Sequence, residues 1–409
     1  MKTSRRTTLG LLGMSALASA ALPGLSFAAA EGDRRLVVIF LRGAVDAMTL
    51  APAYGDPNFF SVRGQLADDR PGSGGPHEMR DLDGFFALNP DLPQLHGLYR
   101  AKELLVLQAT ATAYRERSHF DAQDAMDRGG LDAGVKQGWL NRTIAALPGG
   151  MRVGRPELAI GLGPTLPLSM RGPERVTSWS LPAESPTSAD TLERLAAIYR
   201  ADAELGPTFD KAVSAVRMAQ GMGGKADPSP FVALASAAAT FLKAKDGPRI
   251  ATIDFGNWDS HADQNQRVTP TEANNYFPGR FPRYYVQLDK GMAALKEGLG
   301  EAWADTAVLV FTEFGRTVRI NGTLGTDHGT ASAALLAGGA VAGGRVLADW
   351  RGLAEKDLYE GRDLYPTTDI RALFKGVLRE HLALSEAGLE GKVFPEAREV
   401  KALEGLIRA

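Results

Sequence analysis

Short unbroken apolar runs separated by longer helical patterns predict an α/β chain with a doubly wound, mostly parallel sheet and helices on both faces. Three observations point there. The apolar runs are too short for helices and lack the polar alternation of a half-exposed strand, so they read as strands buried on both faces. Helical periodicity fills the stretches between them. Acids and histidines follow the runs closely, and a parallel sheet gathers its ligands at its strands' carboxyl ends.

Taken in chain order, the first feature is a leader. Ser4-Arg5-Arg6 precedes a weakly apolar run, Leu9 to Ala21, that is shorter than the roughly 20 residues a spanning helix needs. Small residues at Ser26-Phe27-Ala28-Ala29-Ala30 suit a signal peptidase. Paired arginines before such a run predict a twin-arginine signal over residues 1–30, with Thr8 where a large apolar residue is usual. A Sec signal or an uncleaved anchor is the alternative. The expectation is export in folded form through the twin-arginine translocase, to the periplasm or beyond. No later stretch is apolar enough to predict a membrane span in the mature protein.

Residues 31–409 then read as a single α/β domain. Strands are expected at Leu36–Leu41, Leu104–Gln108, Ile250–Phe255, Ala307–Thr312 and Ala334–Leu336. Helices are expected at Ser118–Arg128, Thr191–Met222, Phe231–Ala244 and Tyr284–Leu299, and loops at 70–76, 161–167 and 221–230. The block at about 189–245 breaks the strand rhythm and reads as a helical cap or flank.

Composition excludes several classes of function. The chain has no cysteine, which removes disulfides, zinc–thiolate sites, iron–sulfur clusters and cysteine nucleophiles. Its formal charge is −2, and loss of Lys2, Arg5 and Arg6 with the leader makes it −5 (−2 − 3). Such a balance offers no footprint for nucleic acid. There is no Gly-x-Ser-x-Gly elbow, Walker A loop, His-Glu-x-x-His motif or dinucleotide fingerprint.

The strand ends carry the chemistry. Asp46 follows the first run, Asp254 lies at the end of the third with Asp259 and His261 after it, and Glu313 and Arg316 follow the fourth. Asp327-His328 lies a few residues on. Carboxylates mixed with imidazoles suit a divalent metal: Zn, Mn or Mg, or Ca if carboxylates dominate. Each residue also has a plain structural use. Asp46 could cap a helix, Asp254 could satisfy loop amides, Asp259 could hold His261, and Glu313 could pair with Arg316. His77, His96 and His381 read as surface or packing residues. The string Tyr114-Arg115-Glu116-Arg117-Ser118-His119 opens a helix with Ser118 at its N-cap, where an anion is favoured. Ser118 is either a simple cap or a hydroxyl nucleophile activated by metal, flanked by Arg115 and Arg117.

Six ordered motifs resemble the twin-arginine-exported bacterial family called domain of unknown function 1501. They are residues 40–47 (Phe-Leu-Arg-Gly-Ala-Val-Asp-Ala), 117–124 (Arg-Ser-His-Phe-Asp-Ala-Gln-Asp), 138–142 (Gly-Trp-Leu-Asn-Arg), 257–261 (Asn-Trp-Asp-Ser-His), 312–317 (Thr-Glu-Phe-Gly-Arg-Thr) and 326–329 (Thr-Asp-His-Gly). That family is similar to the alkaline phosphatase and sulfatase superfamily, and carries no settled reaction. The resemblance implies an alkaline phosphatase-like sheet with a metal site at its strand ends. It implies Asp46 as a first metal carboxylate, Ser118 as nucleophile, and Asp254 or Asp259 with His261 on one metal. Glu313-Phe314 would stand where the superfamily has an Asp-His pair, with His328 as its late histidine, so that one metal lacks a ligand. Two expectations follow. One is a metal-dependent hydrolase of phosphate or sulfate esters, with Arg115, Arg117 or Arg316 neutralising a small ester's oxygens. The other is a non-catalytic, metal-stabilised exported binding or assembly protein.

Overall fold

The computed structural model describes residues 33–152, 157–181, 229–266 and 279–408, with 195, 198 and 199. The predicted leader and the predicted helix Thr191–Met222 lie outside the described residues, apart from those three positions. The main sheet is built from β1 (Arg35–Leu41), β2 (Leu104–Ala111), β3 (Ala159–Leu162), β4 (Thr177–Trp179), β5 (Ile250–Phe255), β6 (Thr306–Phe311), β7 (Ser332–Ala337), β8 (Arg345–Leu347) and β9 (Thr368–Asp369). Their order is β8-β2-β7-β6-β1-β5-β3-β4, with β9 also beside β2. Pairing is parallel throughout except at β7, which runs antiparallel to both β2 and β6. The sheet is therefore mostly parallel, as the apolar runs predict.

The reason those runs lack alternation is visible in β1. Val37, Ile39 and Leu41 enter one core, while Leu36, Val38 and Phe40 enter the other. The first core is closed by α1 (Pro93–Arg100), α4 (Pro230–Lys243) and α5 (Arg280–Leu299), through Leu95, Leu98, Phe231, Leu234, Phe281, Tyr285 and Leu288. The second is closed by α3 (Trp139–Ala146), α6 (Ile370–Leu382) and Phe394. Full burial of each such side chain contributes about 1.5–3 kcal/mol, so two covered faces stabilise the middle strands most. None of the described helices is long and apolar enough to cross a membrane.

One expected loop, 161–167, begins inside a strand. Gly161 and Leu162 belong to β3, packed between β5 and β4. A Cβ at Gly161 would lie 2.7 Å from Leu166 Cδ1, so the glycine that suggested a loop is there for close packing.

The topology decides which residues meet. The carboxyl ends of β1, β2, β5 and β6 share one edge. Because β7 is antiparallel, its amino end lies at that same edge, and the segment before it, Asp327 to Ala331, arrives there too. A histidine that precedes a strand thus joins groups that follow strands.

Candidate metal centre

Three of the chain's six histidines converge at this edge. His119 is the first residue of α2 (His119–Arg128), which follows β2. His261 lies six residues past β5, and His328 four residues before β7. His119 Nε2 is 3.0 Å from His328 Nε2, and His261 Nε2 is 3.2 Å from the same atom. Asp259 completes the group, with Oδ1 3.0 Å from His261 Nε2 and 3.3 Å from His328 Nε2, and Oδ2 3.5 Å from His119 Nε2. His119, Asp259 and His328 are spaced to hold one ion together.

The outer nitrogens fix the tautomers. His119 Nδ1 donates to Glu313 Oε1 at 2.8 Å, His328 Nδ1 donates to the Arg117 carbonyl at 3.0 Å, and His261 Nδ1 faces Asp327 Oδ1 at 3.3 Å. Acceptors on every Nδ1 leave the Nε2 lone pairs pointing at one another. Lone pairs at 3.0–3.2 Å repel unless a cation lies among them. Carboxylate or carbonyl acceptors behind imidazoles are what metal sites use to aim their histidines. The donor set therefore fits a metal on the observed geometry alone.

Glu313 is a positioning residue. It has no exposed side-chain surface and accepts from Gly43 N (2.8 Å), Thr312 Oγ1 (2.8 Å) and Gln123 Nε2 (2.8 Å) as well as His119. Burial pushes its carboxyl up, but the bonds from His119 and Gln123 outweigh that and hold it below the usual range. Gly43 adopts φ +121, and a Cβ there would lie 2.4 Å from Asp259 N. Only glycine lets β1's end pass close enough to give Glu313 that amide. Asp259 is likewise resisted by burial and drawn down by Arg316, to about 2. His328 is lowered by burial and by the charges of His119 and Arg316.

Phe314 lies beneath the imidazoles, its ring 4.8 Å from His119 and 5.2 Å from His328. It packs with Ala44 and Ala122 into a small dry floor. Above, the centre opens outward: the His261 side chain is 47% exposed, against 20% for His119. A site closed below and open above has room for an exchangeable ligand.

The other expected site residues fall elsewhere. Asp46 is buried as the N-cap of the turn Ala47–Leu50, accepting from Met48 N (2.9 Å) and Gln264 Nε2 (2.7 Å) and pairing with buried Arg63. Both of its oxygens are engaged, which leaves it a structural role in place of the expected ligand role. Asp254 pairs with Arg42 Nε at 2.9 Å, and Arg42 also pairs with Asp127 at 2.9 Å. Burial raises both acids, Asp127 to about 6. Glu313 and Asp327 back the histidines without joining the Nε2 cluster. The expected ester-facing arginines are all committed. Arg115 donates to the Thr112 and Tyr114 carbonyls, and Arg117 to Asp363 (2.8 Å) and Glu360 (2.6 Å). Arg316 donates to the Gly43 and Ala44 carbonyls, each at 2.8 Å, and to Asp259 at 2.5 Å. Ser118 is the N-cap residue of α2, yet its side chain makes no capping bond.

His119 is the converging residue that sequence reasoning missed. It stands inside the 117–124 motif, but Ser118 beside it looked like the reactive group. The available signal was its acidic company: a histidine on a helix start after a strand, at the edge where Asp259, His261 and His328 also arrive.

Solved structures with a similar course include a Bacteroides thetaiotaomicron protein from a core locus for glycosaminoglycan metabolism (12% identity, TM-score 0.40, 90% of this chain and 75% of that one). Others are the zinc complex of the C-terminal periplasmic domain of EcEptC from Escherichia coli (11%, 0.34, 78% and 77%) and a phosphonate monoester hydrolase of Agrobacterium radiobacter (12%, 0.34, 86% and 74%). Overlaps that loose bear on neither substrate nor mechanism. No curated protein sequence matches significantly. The family model described as "Protein of unknown function (DUF1501)" matches residues 108–396, which hold all four converging side chains, and the chain belongs to that family.

Proposed function

We propose that this chain is an exported metal-dependent hydrolase, with one transition metal held by His119, Asp259, His261 and His328. The observation that supports this most directly is the meeting of three Nε2 lone pairs whose Nδ1 atoms are all tied to acceptors. Three imidazoles and one carboxylate favour Zn, Mn, Fe or Ni over the oxygen-seeking Mg and Ca. When bound, such an ion supplies Lewis acidity at this spot. The chain's own groups then have distinct tasks. Glu313 holds His119 in one tautomer, Arg316 holds Asp259, and Phe314 keeps water from beneath the imidazoles. Ser118, next to His119 with its hydroxyl free of capping, is the candidate nucleophile for a small ester. Export by the twin-arginine route would let a metal be loaded before the chain leaves the cytoplasm.

Elemental analysis of the purified mature protein tests the centre. About one transition metal per chain is expected, lost in His119→Ala and His328→Ala and kept in Asp46→Asn. Turnover of nitrophenyl phosphate and nitrophenyl sulfate across metals tests the hydrolase reading. No turnover with any metal, together with no change in Ser118→Ala, would sink it. The engagement of Arg115, Arg117 and Arg316 favours a second reading, a non-catalytic metal-stabilised binding or assembly protein. In that case metal content stays and turnover is absent.

A further inference from the structure

His119 and His261 rest their outer nitrogens on side chains, but His328 rests its own on the main chain: Nδ1 donates to the Arg117 carbonyl at 3.0 Å. The direction of that carbonyl therefore decides how His328 is aimed. Arg117 stands in the left-handed backbone region, at φ +59. A residue with a Cβ stays there only where its surroundings hold it.

The hold comes from Asp363, whose side chain has no exposed surface. Its Oδ2 accepts from Arg117 Nε at 3.0 Å, Arg117 Nη2 at 2.8 Å and Thr330 Oγ1 at 2.8 Å, and its Oδ1 accepts from Arg362 Nε at 2.9 Å. Arg362 also donates to the His328 carbonyl. One carboxylate is thus tied to both partners of the His328–Arg117 bond: to the acceptor through the Arg117 guanidinium, and to the donor's segment through Arg362 and Thr330. The carboxylate is itself fixed in place. Tyr359 and Asp363 exchange backbone bonds of 2.9 and 3.0 Å across a tight turn, and Asp363 pairs with Thr317 in an isolated bridge. Glu360 accepts from Arg117 Nη2 as well, at 2.6 Å, but its side chain is 55% exposed, where water screens an ion pair. Charge-assisted bonds to a buried carboxylate are the stronger hold.

We propose that Asp363 is a positioning residue for the histidine centre: by holding the left-handed Arg117 backbone, it keeps the Arg117 carbonyl on His328 Nδ1 and the Nε2 lone pair turned toward His119 and His261. This role deepens the proposed metal reading and rests on it where metal affinity is concerned. The tautomer of His328 is a property of the metal-free chain and does not.

Nitrogen NMR of the metal-free mature protein at about pH 8, where imidazoles are neutral, reads that tautomer, and His328→Gln identifies its signal. The wild type should carry the His328 proton on Nδ1. Asp363→Asn should give a mixture of both tautomers and weaken zinc binding about tenfold, the lower end of what groups behind metal ligands contribute. Glu360→Gln should change neither. An unaltered His328 tautomer in Asp363→Asn would overturn the role, and so would an equal effect from Glu360→Gln. If Asp363→Asn does not fold, Arg117→Ala cuts the same tie from its other end, and an unmoved tautomer there is as decisive against it. A wild type that takes up no zinc while the tautomer still responds would end the metal reading and leave the positioning role standing. Zinc uptake with an unresponsive tautomer would do the reverse.

Discussion

Asp46 and Asp259 both follow central parallel strands and reach the same sheet edge, yet they end in opposite circumstances. Asp46 is 1% exposed and answered by Arg63, Gln264 and its own helix amide. Asp259 has a 40% exposed side chain and, besides its pair with Arg316, faces three imidazoles whose Nε2 atoms converge beside it. The first region is enclosed by donors on every side; the second keeps an open side next to a cluster of imidazole nitrogens. Chemistry at a sheet edge is therefore marked less by acids than by acids left partly exposed beside converging imidazoles.

The difference can be broken by mutation. Asp46→Ala should destabilise the fold by about 3–5 kcal/mol in urea unfolding, because it strands a buried guanidinium. Metal content of the folded fraction should not change. A stable Asp46→Ala that lost its metal would reverse the assignment of the two regions.

A second closed group lies far from the edge. His381 in α6 donates Nε2–H to the Arg35 carbonyl at 2.8 Å while its Nδ1 has no partner. Burial, aided by Arg34, holds it down to about 4, against the pull of that carbonyl. The folded imidazole is thus neutral where the unfolded one takes up a proton below about 6.5. Its contribution is fully present above that pH and is lost as pH falls toward 4, up to about 3 kcal/mol. Stability of the wild type and His381→Asn measured between pH 7.5 and 4.5 should show the variant lacking this limb.

The open region should behave in the reverse sense, gaining stability from outside. Zinc or manganese at about a hundred times its Kd should raise unfolding free energy by about 2.7 kcal/mol, and chelation should remove the gain. Glu313→Gln keeps the shape but weakens the hold on His119, so metal affinity should fall about 10–100-fold. An affinity unchanged in that variant would show that Glu313 is only packing. The smallest effect is expected at Phe120, next to His119 and 87% exposed. Phe120→Ala should shift stability by less than about 0.5 kcal/mol and leave metal affinity alone.

Much of this was legible in the residues. The five expected strands match β1, β2, β5, β6 and β7 because both faces of each are covered, which writes an unbroken apolar run. The edge strands β4, β8 and β9 are short and half-covered, so they leave no such mark. At the site, Asp259, His261 and His328 were among the expected ligands. His119 was overlooked because proximity to Ser118 in sequence obscured its neighbours in space. The arginines were misjudged for a similar reason: Arg117's acids, Glu360 and Asp363, come more than 240 residues later. Positive charges show in a sequence, but their neutralisation does not.

The antiparallel direction of β7 has a consequence for biogenesis. The converging side chains come from residues 119, 259 and 261, and lastly 328, and the last depends on a strand wedged between β2 and β6. A ribosome must therefore release the chain past β7 before the four side chains can meet. Under the proposed metal reading, metal content should therefore appear only in chains in which β7 has been inserted between β2 and β6.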